Sequence, residues 1–318
     1  MATAATDVKT SARKSANRKA SAPRAASPYA KRAHYEIPTN IFSKKRAPVP
    51  CHVFVAERDK ALNPRTKTGL IVLDQSKAMG FDQPASTPFV LARYARIRAG
   101  ESLTTSFQAS GEIYYVVRGS GVSQRGADRI AWREGDVFAL PGGGATIHSA
   151  EAEHAVLYIA TDEPLLAFMG VAPAPKAKAP IQPVHYPAEE IERHLNEIIA
   201  LGDIDDAAGK AVQFLSERTA KIGTVLPTLA LAVNSLPPKQ FQRAHRHNAV
   251  ALTLCIQGEK CYSMIDGQRV DWQRHAVMIT PPTAIHSHHN DGDVLMKCLI
   301  VQDGGVYYRA RTVGFSFE

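Results

Sequence analysis

Residues 243–258 read RAHRHNAVALTLCIQG, with His245 and His247 two positions apart at the entrance to an apolar run that ends at a glycine. Alternate residues of an extended strand point to the same side, so the two imidazoles share a face. Neutral imidazole is a common metal ligand, and two of them on one strand need a further donor from a different strand to complete a site. Arg243 has the same parity, which allows its planar fork to clamp a carboxylate at the mouth of such a site. The alternative is a rim arginine with its head in water. A second histidine-rich stretch, ITPPTAIHSHHN over residues 279–290, repeats the spacing with His286 and His288.

The elements that must carry these residues are short strands. Beyond residue 80 one pattern occurs twice. The first copy runs FVLARYARIRAG, GEIYYVVRGSG, GDVFALP and HSAEAEHAVLYIAT. The second runs LPTLALAVNSLPP, VALTLCIQGEKCYSMIDGQRVDW, HAVMITPPTAIH and DVLMKCLIVQ. Gly, Pro and Asp break both at strand-and-turn spacing, which predicts two all-β units, each the size of a small sandwich or barrel. Between them the Pro-rich connector APAPKAKAPIQPVHYP is denied helix and central-strand structure. PAEEIERHLNEIIALGDI, with Ile191, Leu195, Ile198 and Ile199 on one stripe, predicts a helix, and AAGKAVQFLSERTAK is read as a second. CHVFVA and GLIVLD are read as lead-in strands of the first unit.

Bulk properties limit what the chain can do. Its 318 residues, 45% of them hydrophobic, suffice for two domains. Residues 1–33 hold eight Lys or Arg against the single acid Asp7, so nearly all of the formal charge of +8 sits in that tail. Built from Ala, Ser, Lys, Arg and Pro, the tail is expected to be a disordered, solvated extension, with nucleic-acid contact the lesser reading. It lacks the apolar stretch of a secretory signal and the apolar face of a transit peptide, and no run has the length of a membrane span. Cys51, Cys255, Cys261 and Cys298 make neither a disulfide framework nor a zinc knuckle, and the three in apolar strands are expected to pack as small hydrophobes. A reducing cytoplasm is the expected location.

AHRHNAVALTLCIQG followed by ITPPTAIHSHHN resembles the two signature segments of a cupin, a small jelly-roll β-barrel, and the body from about residue 85 to 315 resembles a bicupin. More narrowly, the second unit resembles the metal-bearing domain of the gentisate and salicylate ring-cleaving dioxygenases, and the first their metal-free domain. In typical gentisate dioxygenases the metal-bearing cupin comes first, whereas here it is second. The resemblance implies that His286, five residues after Pro281, joins His245 and His247 as a third ligand to Fe(II), with positions left open. His288 then takes a hydrogen-bonding or acid–base role, or a structural one. The usual cupin glutamate falls four residues after the second histidine, where this chain has Ala251. Without an anionic ligand the metal keeps its full charge for a chelating substrate such as a carboxylate beside a phenol oxygen.

The first unit serves as an internal control. Aligning Gly119 with Gly258 sets Ser106 and Gln108 opposite His245 and His247, which leaves Glu112 and His148 as structural residues and the first unit as scaffold. His289 and Asn290 are expected to shape the turn after their strand. Arg309 and Arg311, in YYRARTVGF, either reach the pocket or form a charged strand face.

The expected architecture is therefore all-β, two cupin jelly rolls joined by a Pro-rich linker and short helices. Its parts are a basic tail (1–33), lead-in strands and a metal-free cupin (34–170), linker and helices (171–225) and a metal-binding cupin (226–318). The expected activity is an Fe(II) dioxygenase that opens the ring of gentisate, salicylate or a substituted salicylate, with His288 catalytic, Arg243 and Arg309 binding substrate and O2 as co-substrate. A diketone or thiol oxygenase and a non-catalytic ligand-binding bicupin are the alternatives. Paired cupins with exposed sheet edges also point to a homo-oligomer, a dimer or tetramer.

Overall fold

The computed structural model describes residues 27–37, 44–202 and 209–318. The chain divides into two compact units, residues 1–45 and 46–318. In the smaller unit residues 27–37 are exposed, Ala30–Arg32 make a single 3-10 turn, and Lys44 pairs with Glu36 at 3.3 Å. The basic tail expected over residues 1–33 lies, up to residue 26, outside the described residues.

The larger unit opens with α1 (Val55–Leu62), β1 (Gly69–Leu73), α2 (Ser76–Met79), β2 (Leu91–Ile97), β3 (Ser102–Thr105), β4 (Gly111–Arg118) and β5 (Ser120–Arg125). It continues through β6 (Asp128–Arg133), β7 (Val137–Pro141), β8 (Thr146–Ala150), β9 (Ala155–Thr161) and α3 (Glu163–Met169). A connection with β10 (Val184–Tyr186) and α4 (Ala188–Ala200) leads to β11 (Lys210–Phe214), β12 (Ala230–Leu236), β13 (Gln240–Phe241), β14 (His245–His247) and β15 (Ala251–Gln257). The chain closes with β16 (Cys261–Ile265), β17 (Gln268–Asp271), β18 (Val277–Thr280), β19 (His286–Asn290), β20 (Met296–Gln302), α5 (Gly304–Ala310) and β21 (Phe315–Phe317).

Each half is a two-sheet jelly roll. In the first, the sheet β1-β2-β9-β4-β7-β10 faces β3-β8-β5-β6; in the second, β11-β12-β20-β15-β18 faces β17-β16-β19-β14-β21. Strands β2 and β9, LARYARI and AVLYIAT, bury every residue, and their sequences show no polar alternation because both of their faces are covered. On β4, Tyr114 and Val116 fill the first barrel, while Ile113 and Tyr115 point the other way, into a core shared with Leu231, Val233, Leu252, Leu254, Leu299 and Val301 of the second. The two barrels thus stand back to back on one apolar core.

Two expected strands and one expected helix fold differently. CHVFVA does not extend the first barrel. Its backbone covers the β18 edge of the second, with Ile279 N–H donating to His52 O and Phe54 N–H to Val277 O, both at 2.9 Å. Beyond Ala56 the apolar alternation gives way to charged residues, and the chain turns into α1 with Phe54 and Ala61 buried. AAGKAVQFLSERTAK contributes β11 rather than a helix; residues 207 and 208 lie outside the described residues. Here an open edge on β12 outweighs helix propensity, and Phe214 inserts edge-on against Tyr186 with ring centroids 5.0 Å apart. YYRARTVGF is not a charged strand face either, since α5 runs to Ala310 and only Phe315–Phe317 is strand. The helix expected from Ile191 and Leu195 is α4, with those two side chains buried. The Pro-rich connector supplies β10, which covers the β7 edge.

Candidate metal centre

Strand β14 lies between β19 and β21, and its register sets His245 directly opposite His286. His245 and His247 share a face by the two-residue period, so three imidazoles converge inside the second barrel. Ring centroids are 4.2 Å apart for His245–His286, 4.7 Å for His247–His286 and 5.9 Å for His245–His247. One ligand atom from each lies within 4.8 Å of the others.

The hydrogen bonds settle which nitrogen faces inward. His245 Nδ1 lies 3.0 Å from Arg243 O, His247 Nδ1 2.8 Å from Ala249 O, and His286 Nδ1 2.9 Å from Ala284 O. A carbonyl can only accept, so each Nδ1 carries the hydrogen and each Nε2 keeps a lone pair for a cation. Burial lowers the proton affinity of all three rings, that of His286 to about 3, which keeps the set neutral near pH 7. Neutral, tautomer-fixed nitrogen donors on one side of a site suit a divalent first-row metal with coordination positions to spare.

Around the triad, His288 places Nδ1 2.7 Å from Ser263 Oγ, which also accepts from Trp272 Nε1 at 2.8 Å. His288 Nε2 has no hydrogen-bond partner among the described residues. The rings of Phe315 and Phe317 lie 5.4 and 6.3 Å from His245 and form an apolar wall on β21. Arg243 is exposed, with its guanidinium 4.7 Å above Phe317 and Nε 3.4 Å from Glu318 O. Arg309 is exposed on α5, Arg246 pairs with Glu318 at 2.5 Å, and Arg311 is exposed. His289 and Asn290 belong to β19 itself rather than to a turn after it, and Asn290 Nδ2 donates to Leu236 O, Pro237 O and Val294 O. Gln302, which sequence reasoning missed, lies at the site with Nε2 3.3 Å from His247 Nε2. The available signal was a polar residue closing the apolar strand DVLMKCLIVQ.

The first barrel repeats the Ser–His–Trp arrangement. Ser123 Oγ lies 2.7 Å from His148 Nδ1 and accepts from Trp132 Nε1 at 2.8 Å. His148 therefore matches His288, and the pair Thr105–Thr146 matches His245–His286. The residues at the ligand positions are Thr105, Phe107 and Thr146, which corrects the Ser106 and Gln108 alignment by one residue. The segment from Thr105 to Glu112 is one residue longer than that from His245 to Ala251, and no sequence signal marks the difference.

Past that segment the registers of β4 and β15 agree. Glu112, opposite Leu140 and Thr161, matches Ala251, opposite Thr280 and Gln302. In the first barrel Glu112 accepts from Tyr114 Oη and pairs with Arg125 at 2.5 Å, and burial pushes its carboxyl up to about 7 against the pull of Arg125. Tyr114 stacks on Phe138 at 4.5 Å and fills the interior, whereas Thr253 and Met278 hold the matching pair of positions in the second barrel. The first barrel is packed shut around an internal ion pair, while the second carries smaller side chains beside three imidazole lone pairs, of which that of His247 meets the Gln302 amide.

The fold is that of two cupin barrels, with three histidines clustered in the second. Residues 233–302 match the cupin domain family. A gentisate 1,2-dioxygenase of a Streptomyces species is 34% identical over 73 residues, 23% of this chain and 20% of that protein. A 1-hydroxy-2-naphthoate 1,2-dioxygenase of a Nocardioides species is 27% identical over 114 residues, 35% of this chain and 29% of the relative. The matches thus span less than a third of these relatives' own length. The crystal structure of salicylate 1,2-dioxygenase from Pseudaminobacter salicylatoxidans superposes with a TM-score of 0.70 at 15% identity, covering 86% of this chain and 90% of that one. The chain shares that two-cupin fold, and stretches of 73 and 114 residues resemble a gentisate and a 1-hydroxy-2-naphthoate dioxygenase in sequence.

Proposed function

We propose that the protein is an Fe(II)-dependent dioxygenase that opens the ring of a hydroxylated aromatic carboxylate, between the carboxyl-bearing and hydroxyl-bearing carbons. The observation that carries this reading is the donor set: three neutral histidines with alanine at the seat of the cupin glutamate. His245, His247 and His286 would hold the metal, and no residue among them adds negative charge. Bound there, iron supplies a Lewis-acidic seat for a chelating hydroxy-acid and a route for electrons from an electron-rich ring to O2. Ser263, accepting from Trp272, gives its hydrogen to His288 Nδ1, which leaves a proton on Nε2 for exchange with the substrate's hydroxyl. Phe315 and Phe317 exclude water from one side of the pocket. Arg243 on the rim receives the incoming carboxylate, and the exposed Arg309 adds to the positive field around the entrance. Among the described residues no helix is long and apolar enough to cross a membrane. A cytoplasmic homo-oligomer is part of the same proposed reading.

The test is oxygen uptake and ultraviolet absorbance after anaerobic loading with Fe(II), against gentisate, salicylate, 1-hydroxy-2-naphthoate, a diketone and a thiol. Stoichiometric O2 consumption with an aromatic acid, lost together with iron retention in His286→Ala, is the expected result. Uptake with the diketone or thiol alone, or an active and iron-replete His286→Ala protein, overturns the reading.

A further inference from the structure

We propose that Gln302 is the residue that receives an anionic oxygen bound to the metal, a neutral hydrogen-bond donor standing in the space where a cupin glutamate would reach. Its placement follows from the register. Gln302 closes β20, with Ala230 opposite it on β12 and Ala251 opposite it on β15. Two methyl-sized neighbours leave its side chain room to extend into the barrel. It does so toward the triad, and its amide makes its one side-chain hydrogen bond among the described residues with His247, at 3.3 Å.

The orientation of the amide follows from its partner. His247 Nδ1 carries the hydrogen, given to Ala249 O, so Nε2 presents a lone pair that can meet only the NH2 end of Gln302. That lone pair is the one a metal takes. With a cation on His247, the amide loses this acceptor while remaining one hydrogen-bond length from the ligand shell. An anionic oxygen bound beside His247 is the acceptor that replaces it, and a charge-assisted hydrogen bond of this kind is stronger than a neutral one.

The first barrel shows the opposite arrangement at the same two positions. There the acid Glu112 faces inward beside Thr161, and Thr161 spends its hydroxyl on Leu91 O and Glu163. In the second barrel the acid is gone and an amide has come in from the neighbouring strand. A carboxylate at this seat competes with an anionic chelator for the metal's charge, whereas an amide donates to it. Gln302 therefore selects for anionic oxygen ligands, which here means the carboxylate or phenolate oxygen of an aromatic hydroxy-acid. This assignment rests on the three-histidine centre binding a metal with open positions.

The experiment uses the full chain loaded with Co(II), with azide as the anion and visible absorption as the readout, so no turnover is needed. Gln302→Leu is expected to bind Co(II) within about threefold of wild type and azide roughly tenfold or more weakly, the loss of a hydrogen bond to a charged group. Gln302→Glu is expected to bind Co(II) roughly tenfold more tightly and azide at least about tenfold more weakly, because the carboxylate neutralises part of the metal's charge. Unchanged azide affinity in Gln302→Leu overturns the assignment, as does loss of Co(II) from a variant whose far-ultraviolet circular dichroism matches wild type. If no aromatic acid is cleaved while azide binding still depends on Gln302, the proposed reaction fails and the role of Gln302 stands.

Discussion

Asp303, immediately after Gln302, has its carboxyl buried and accepting from Val250 N–H at 2.8 Å. Burial pushes it from an ordinary value near 3.8 up to about 7. The unfolded chain therefore releases this proton first, and the stability that the neutral carboxyl contributes is present below about pH 4 and lost as pH rises to about 7. Asp303→Asn keeps an acceptor for Val250 and removes the titration. Urea unfolding of the metal-free chain at pH 5 and pH 8 should show the variant gaining on wild type by roughly 3 kcal/mol between the two. A constant difference would show that Asp303 is charged throughout. Among single residues, His245 and His247 were legible from strand period, whereas His286 and Ala251 were legible only through the resemblance to the cupin signature segments. Gln302 was not, because its place opposite Ala251 exists only once β15 and β20 pair. Ser106 and Gln108 were misaligned because a one-residue difference in a connecting segment changes no composition or period.

At the scale of elements, the Ser–His–Trp arrangement pins the same two strands together in each barrel, β5 to β8 and β16 to β19. The hydroxyl of Ser123 joins His148 and Trp132 in a buried setting, and Ser123→Ala leaves both ring nitrogens without that partner. Denaturant unfolding should show a cost of about 1–3 kcal/mol with turnover unchanged. Ser263→Ala should have a similar cost and, on the proposed reaction, lower kcat as well, since it frees the His288 ring beside the three-histidine cluster. Equal effects of the two variants on turnover would show that His288 only packs. The strands and α4 could be read from turn residues and apolar stripes. α1, β11 and α5 could not. For the first two the outcome depended on which sheet edge stood open nearby: the β18 edge captured residues 52–54, and the β12 edge captured Lys210–Phe214. Local pattern carries no record of a distant edge.

For the whole molecule, the governing feature is the apolar layer between the barrels, to which Ile113 and Tyr158 from one side and Leu252 and Leu299 from the other contribute as fully buried or nearly fully buried residues. Neither barrel can lose its fold without exposing that layer. Calorimetry should show one unfolding transition for residues 46–318, and adding Co(II) at about a thousand times its Kd should raise the whole transition, by about 4 kcal/mol in linkage terms. Two transitions of which only one responds would mean that the barrels unfold independently. The repeated β pattern made two units visible in the sequence, but nothing in it distinguished separate domains from halves of one body. The matching registers of Glu112 and Ala251 also have a practical consequence. A four-ligand cupin-type set of three histidines and a glutamate is one substitution away in the second barrel, at Ala251. The first barrel already has the acid but would need Thr105, Phe107 and Thr146 replaced together with the obstructing Arg125.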